Sequence, residues 1–165
     1  MQNIISEAIA YDTGDPHRVH HLLKVYAFCR AIGQTEGLPA DIQEVLEAAA
    51  VLHDIGIHNA ETRHGSCGGK FQEQEGPAVA RPILERCGAA PEQVERVCWL
   101  IAHHHTYGAS DDVDFRILVE ADFLVNAYEG NLSRAACEAI RERVFRTETG
   151  TRYLEQLFLS EPWQP

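Results

Sequence analysis

The amino-acid sequence predicts an all-α fold, on three observations. Apolar residues recur at spacings of three and four along most of the chain, the period of a helix that buries one face. No stretch alternates apolar and polar residues for long enough to suggest a sheet. Asp, Pro and Gly fall where the periodic stretches begin and end, as helix boundaries require.

The elements follow in order. A short helix over 4–10 meets Asp12, Gly14, Asp15 and Pro16, a turn-rich break that can also start a second helix, over 16–32, stopped by Gly33. Leu38-Pro39-Ala40-Asp41 opens a third, in which Ile42, Val45, Leu46, Ala49 and Leu52 make one apolar face that runs on to His53-Asp54. From 55 to 69 the period vanishes among Gly56, Gly65, Gly68 and Gly69, which reads as a surface loop. Periodicity returns over 76–87, 91–105, 114–128 and 133–145, with a last short helix over 151–159. Seven or eight helices are expected.

At 165 residues, with 45% hydrophobic and 24% charged residues, the chain fits a single folded domain, 1–165, without disulfides or structural zinc. No repeat, low-complexity tract or Pro/Ser-rich linker calls for a second. The 14 Lys and Arg face 25 Asp and Glu, a net charge of −11. Such a surface repels polyanions and argues against extended nucleic-acid binding, although a bound divalent cation can make one pocket positive for a small anion. The five cysteines, at 29, 67, 87, 98 and 137, are odd in number and include no CxxC pair. Cys29 and Cys98 fall on apolar stripes and read as small buried hydrophobes, and the set suggests a reducing compartment. The first ten residues contain Glu7 and lack a basic start, so no signal peptide is expected, and no apolar run approaches a membrane span. A cytoplasmic location away from membranes is the expectation.

Candidate ligands sit among these elements. His53 and Asp54 are adjacent at the end of an apolar helix, where an imidazole and a carboxylate can share one cation and Gly56 lets the chain turn away. A helix end with a capping histidine and a solvated aspartate would look the same. His21 stands in a helix whose apolar face includes Leu22, Val25 and Phe28, and Asp122 lies within Ile117-Leu118-Val119-Glu120-Ala121-Asp122-Phe123-Leu124-Val125. A carboxylate buried there without a partner costs several kcal/mol or so; metal coordination removes that objection.

Taken together, HLLKVYAF at His21, AAAVLHDIGIH at His53-Asp54 and ILVEADFLVN at Asp122 resemble, in that order, the HD superfamily of metal-dependent phosphohydrolases. The resemblance covers residues 17 to about 128, the metal-binding core, and leaves C-terminal helices over 131–160. It implies a helical bundle of the HD-domain type and metal ligation by His21, His53, Asp54 and Asp122. The metal it implies is a divalent transition ion, Mn, Fe, Co, Ni or Zn, as one, two or more ions.

Further candidates are weighed against that frame. Neighbours on a helix point about 100° apart, and the face Val94, Val97, Cys98, Ile101 extends to His104 and His105 but not to His103. LIAHHHT is similar to the paired histidines of family members with more than one metal; a solvated cluster favoured by the helix dipole is the alternative. Those members usually carry another histidine near the start of the intervening helix, where this chain has Lys70-Phe71-Gln72-Glu73-Gln74-Glu75-Gly76-Pro77. Gln72 takes its place, so either Glu73 or Glu75 supplies a carboxylate or the second metal is missing. His17, one turn before His21, can reach a substrate or support a ligand, and of His58, His64 and Lys70 in the Gly-rich loop beside the His-Asp pair Lys70 can hold a phosphate oxygen as a point charge; exposed, solvated side chains are the alternative. Gly65-Ser66-Cys67-Gly68-Gly69-Lys70 is not a phosphate loop, because no strand precedes it and Phe71 breaks the pattern.

The expected activity is hydrolysis of a small phosphorylated metabolite or nucleotide by a metal-activated water, with Asp54 both ligating the metal and orienting or deprotonating that water, and His17, His58 and Lys70 as further candidates. The same ligand set suits a di-iron oxygenase, and a metal-stabilised sensing module without catalysis is the reading outside enzymes.

Overall fold

The computed structural model describes residues 1–161; the last four residues of the expected span 1–165 lie outside the described residues. Among the described residues there are nine α-helices and no strand. They are α1 (Gln2–Tyr11), α2 (Pro16–Thr35), α3 (Ala40–Leu52), α4 (Ile57–His64), α5 (Gly69–Arg86), α6 (Pro91–Ile101), α7 (Val113–Glu129), α8 (Arg134–Val144) and α9 (Glu148–Leu154), closed by a π-helical turn, Glu155–Leu159. The all-α expectation holds, with nine helices among the described residues in place of the seven or eight expected.

The additional helix is α4, inside the segment expected as a surface loop. It escapes the apolar period because only Ile57 and Ala60 of its eight residues are buried. Its end is marked by Gly65, at φ +65°, whose N–H returns to the Glu61 carbonyl, a left-handed cap that favours glycine. α5 starts at Gly69 rather than 76 and carries both Pro77 and Pro82 in its interior. Gly33 does not stop α2. It is placed there for space, because the Gln43 side-chain carboxamide of α3 occupies the position a Cβ would take. The Asp15 side chain caps α2 by accepting the Arg18 N–H at 3.1 Å, with Pro16 in the first turn.

α3 is the centre of the molecule. Every residue from Val45 to His53 is buried, so it is surrounded rather than one-faced, and Ala48-Ala49-Ala50 lets its neighbours approach closely. α2, α6 and α7 all pack on it, α2 also packs on α7, and α4 lies on α5. Phe115, Leu118 and Leu124 of α7 and Leu46 and Leu52 of α3 are fully buried in the shared core. This packing places the C-terminal end of α3 between α2 and α7. All five cysteines are unpaired, and among the described residues no helix is long and apolar enough to cross a membrane.

Candidate metal centre

His53 and Asp54 stand in the turn that follows α3, and His104 and His105 in the turn that follows α6. Both turns use the same device. His53 Nδ1 donates to the Ala50 carbonyl at 2.8 Å, and His104 Nδ1 donates to the Ile101 carbonyl at 2.8 Å. The rings thereby satisfy carbonyls at helix ends that lack intrahelical partners. With Nδ1 carrying one proton, each ring in its neutral form turns an Nε2 lone pair toward the interior. α6 ends at Ile101 rather than at 105, so the turn, not the helical phase, distributes the three histidines. It sends His103 outward, stacked on Trp99 with ring centres 4.3 Å apart.

The inward nitrogens converge on two carboxylates. His21 Nε2 and His53 Nε2 lie 3.2 Å apart and stand 3.2 and 3.5 Å from Asp122 Oδ1. Both are 3.6 Å from Asp54 Oδ2, while Asp54 Oδ1 faces His104 Nε2 at 3.4 Å. Asn126, one turn along α7, donates to Asp122 Oδ1 at 2.8 Å. His21, His53 and Asp54 thus form one donor triplet and Asp54, His104 and His105 another, with Asp54 shared.

The electrostatics reflect this crowding. Burial pushes the Asp54 and Asp122 carboxyls up, but the neighbouring imidazoles outweigh it and hold both well below the usual carboxylate range. Burial pushes His53 down, yet the Asp54 charge and the hydrogen bond with Asp122 outweigh it and raise the ring to about 9. His21 is raised in the same way through Asp122. His105 goes the other way, lowered to about 4 by burial and by His104.

A cation suits these residues. Asp54 Oδ1 and His104 Nε2 are buried with no hydrogen-bond partner, a costly arrangement that an ion between them resolves. His105 is prepared similarly. Gln72 donates from Nε2 to the Cys67 carbonyl at 2.7 Å, which fixes its Oε1 toward His105 Nε2 at 3.1 Å and leaves Nδ1 as that ring's acceptor. Gly69 makes room for this ring, since a Cβ there would meet His105 Cγ at 2.6 Å.

The remaining candidates are placed elsewhere. Glu75 is buried on α5, but Arg63 and His64 take its oxygens at 2.7 and 2.9 Å. Glu73 accepts the His105 N–H at 3.0 Å and so braces the turn. Lys70 is exposed and does not line the cleft beside the site. His58 faces Asp12 at 3.2 Å and packs on Tyr11. His17 is exposed along the cleft wall.

That cleft has a volume of about 380 Å³. His21 and Asp54 lie along it, with Asp12, Asp15, His17 and Arg18 on one side and Asn126 and Glu129 of α7 also lining it. Sequence reasoning missed Arg18, Asn126 and Glu129. The available signal was spacing: Arg18 is three residues before His21, and Asp122, Asn126 and Glu129 follow at i, i+4 and i+7 on one helical face.

Comparison with known proteins gives a family and a fold match. A family model described as HD domain matches residues 18–127. A crystal structure described as a predicted HD superfamily hydrolase, from an uncultured Thermotogales bacterium, is similar at 25% sequence identity with a TM-score of 0.63, covering 93% of this chain and 80% of that one. Comparison with curated proteins gives no match.

Proposed function

The chain belongs to the HD-domain family, and from that premise we propose that it is a metal-dependent phosphohydrolase acting on a small phosphorylated metabolite or nucleotide. The observation that carries the proposal is the facing pair of buried, unpartnered atoms, Asp54 Oδ1 and His104 Nε2, between two donor triplets that share Asp54. The similar crystal structure is described as a predicted hydrolase. His21, His53, Asp54 and Asp122 would hold one divalent ion, and Asp54, His104 and His105 a second. Bound there, a divalent metal supplies Lewis-acid charge toward phosphoryl oxygens and acidifies a water.

The protein's own groups do the rest. Asp54, reached from the cleft, orients the attacking water. Arg18 lines the cleft one turn from His21, its Nε held by Asp15 at 2.6 Å and its Nη2 by Glu61 at 2.9 Å, so its guanidinium is already aimed when an anion arrives. Asn126 holds Asp122 in orientation through its donated hydrogen bond. The cleft volume suits one small molecule, and the net charge of −11 disfavours a polyanionic polymer. Five unpaired cysteines suit a reducing, cytoplasmic setting.

The test is a panel of phosphomonoesters, phosphodiesters and nucleotides assayed with Mn, Fe, Co, Ni and Zn, with oxygen uptake followed in parallel. Phosphate release that EDTA abolishes is expected. Two nitrogen-rich triplets joined by one carboxylate also suit a pair of irons, so oxygen consumption without phosphate release reverses the assignment in favour of oxidation. Tight ligand binding with no turnover under any metal makes the protein a sensor.

A further inference from the structure

We propose that Glu129 is a positioning residue for the metal centre, acting through His21; this rests on the metal-centre reading above. Of the three histidines whose Nε2 atoms face Asp54 or Asp122, His53 and His104 are fixed by main-chain carbonyls at helix ends. His21 has no such option. It lies within α2, where the carbonyls are engaged along the helix, so its ring must be fixed by a side chain from elsewhere. Glu129, at the end of α7, supplies it: Oε2 accepts from His21 Nδ1 at 2.8 Å.

The carboxylate does two things that a carbonyl does less well. It fixes the Nδ1–H tautomer, which leaves the Nε2 lone pair aimed at Asp122, and its charge makes that nitrogen a stronger donor to a cation. Lys24, one turn beyond His21 on α2, donates to Glu129 Oε1 at 2.5 Å. This ion pair keeps Glu129 ionised while neutralising it, so a carboxylate is added beside Asp54 and Asp122 without adding net charge. His21 and Lys24 of α2 therefore both meet Glu129 across the α2–α7 contact, each at its own carboxylate oxygen.

The experiment compares wild type, Glu129→Gln and Glu129→Leu for Co(II) affinity by chelator competition, for the melting temperature of metal-free protein, and for the His21 tautomer by ¹H–¹⁵N NMR of the Zn(II)-loaded protein. Gln keeps an acceptor and loses the charge; Leu loses both. The expected result is a graded loss, largest for Leu at about 10- to 100-fold in affinity, with the His21 Nδ1–H signal weakened or lost and the metal-free melting temperature lowered less by Gln, which keeps an acceptor for Nδ1–H, than by Leu. If the Leu variant does not fold, the Gln variant decides alone. Affinities within about threefold of wild type, well short of what such a partner contributes, with an unchanged His21 signal, overturn the role of Glu129 while leaving the metal centre standing. A wild-type protein that takes up no Co(II) overturns both.

Discussion

Gly56→Ala tests how closely the fold and the site depend on one another. A Cβ at this position would lie 2.5 Å from Gly76 N, 2.8 Å from Gln72 O and 2.8 Å from Gly76 Cα. All three are backbone atoms of α5, so no rotamer change relieves the overlap and the helix itself must move. Overpacking of this kind costs about 1–3 kcal/mol, and the rigidity of the obstacle puts it near about 2–3 kcal/mol. For a chain of this size that is a drop of about 4–12 °C in melting temperature. Because Gln72 holds His105, displacing α5 also weakens metal binding at the His104–His105 side, so the variant loses stability and metal together. Gly37→Ala is the control: its φ is +75° and nothing lies within 4 Å of the added atom, which leaves backbone strain alone, about 1–2 kcal/mol. Thermal melts and metal analysis of both variants provide the assay. A Gly56→Ala protein that melts no lower than Gly37→Ala would refute the packing argument.

Other outcomes follow from the same geometry. Asp54→Ala removes the carboxylate shared by both triplets and should abolish activity and empty both metal positions with the fold retained; metal content equal to wild type would show that Asp54 is not the shared ligand. His104→Ala and His105→Ala should each lower metal stoichiometry, whereas His103→Ala, whose ring stacks outward on Trp99, should not, and a larger loss at His103 than at its neighbours counts against the two-triplet arrangement. Metal binding should weaken as pH falls. With His53 raised to about 9, the metal-free ring carries a proton below that pH which an incoming cation must displace, so apparent affinity drops by up to about tenfold per pH unit. Calorimetry in buffers of different ionisation enthalpy should count that released proton at neutral pH; affinity that does not change between about pH 6 and 8 contradicts the linkage.

What was legible in the sequence divides along physical lines. α2, α3 and α7 announce themselves because long apolar stripes must be buried against something, and His21, His53, Asp54 and Asp122 lie on or just beyond those helices. α4 is silent because it is held by two buried residues and a glycine cap, too few contacts to leave a period. The start of α5 is masked by Gly76-Pro77, which reads as a helix beginning although Gly76 serves close packing on Ile101, whose Cγ2 would lie 2.5 Å from an added Cβ. Glu73 and Glu75 could not be told apart by spacing, since their roles depend on His105 and on Arg63 and His64, each a partner outside α5. Glu129 and Arg18 are charged residues near helix ends, and charged residues there are most often solvated; only the tertiary arrangement turns them toward His21 and the cleft.

The histidines that close α3 and α6 have a consequence for which residues those positions can accept. Each ring gives a proton to a carbonyl of its own helix with one nitrogen and offers a lone pair with the other. Cysteine or aspartate at 53 or 104 could in principle still bind a cation, but an ionised side chain has no hydrogen to return to Ala50 or Ile101. Such a replacement would exchange a ligand successfully and still leave a helix end unsatisfied. These two positions therefore tolerate change less than a purely coordinative role would require, and redesign of the centre for a softer ion is better begun at residue 105, whose ring is steadied by a side chain that can be redesigned along with it.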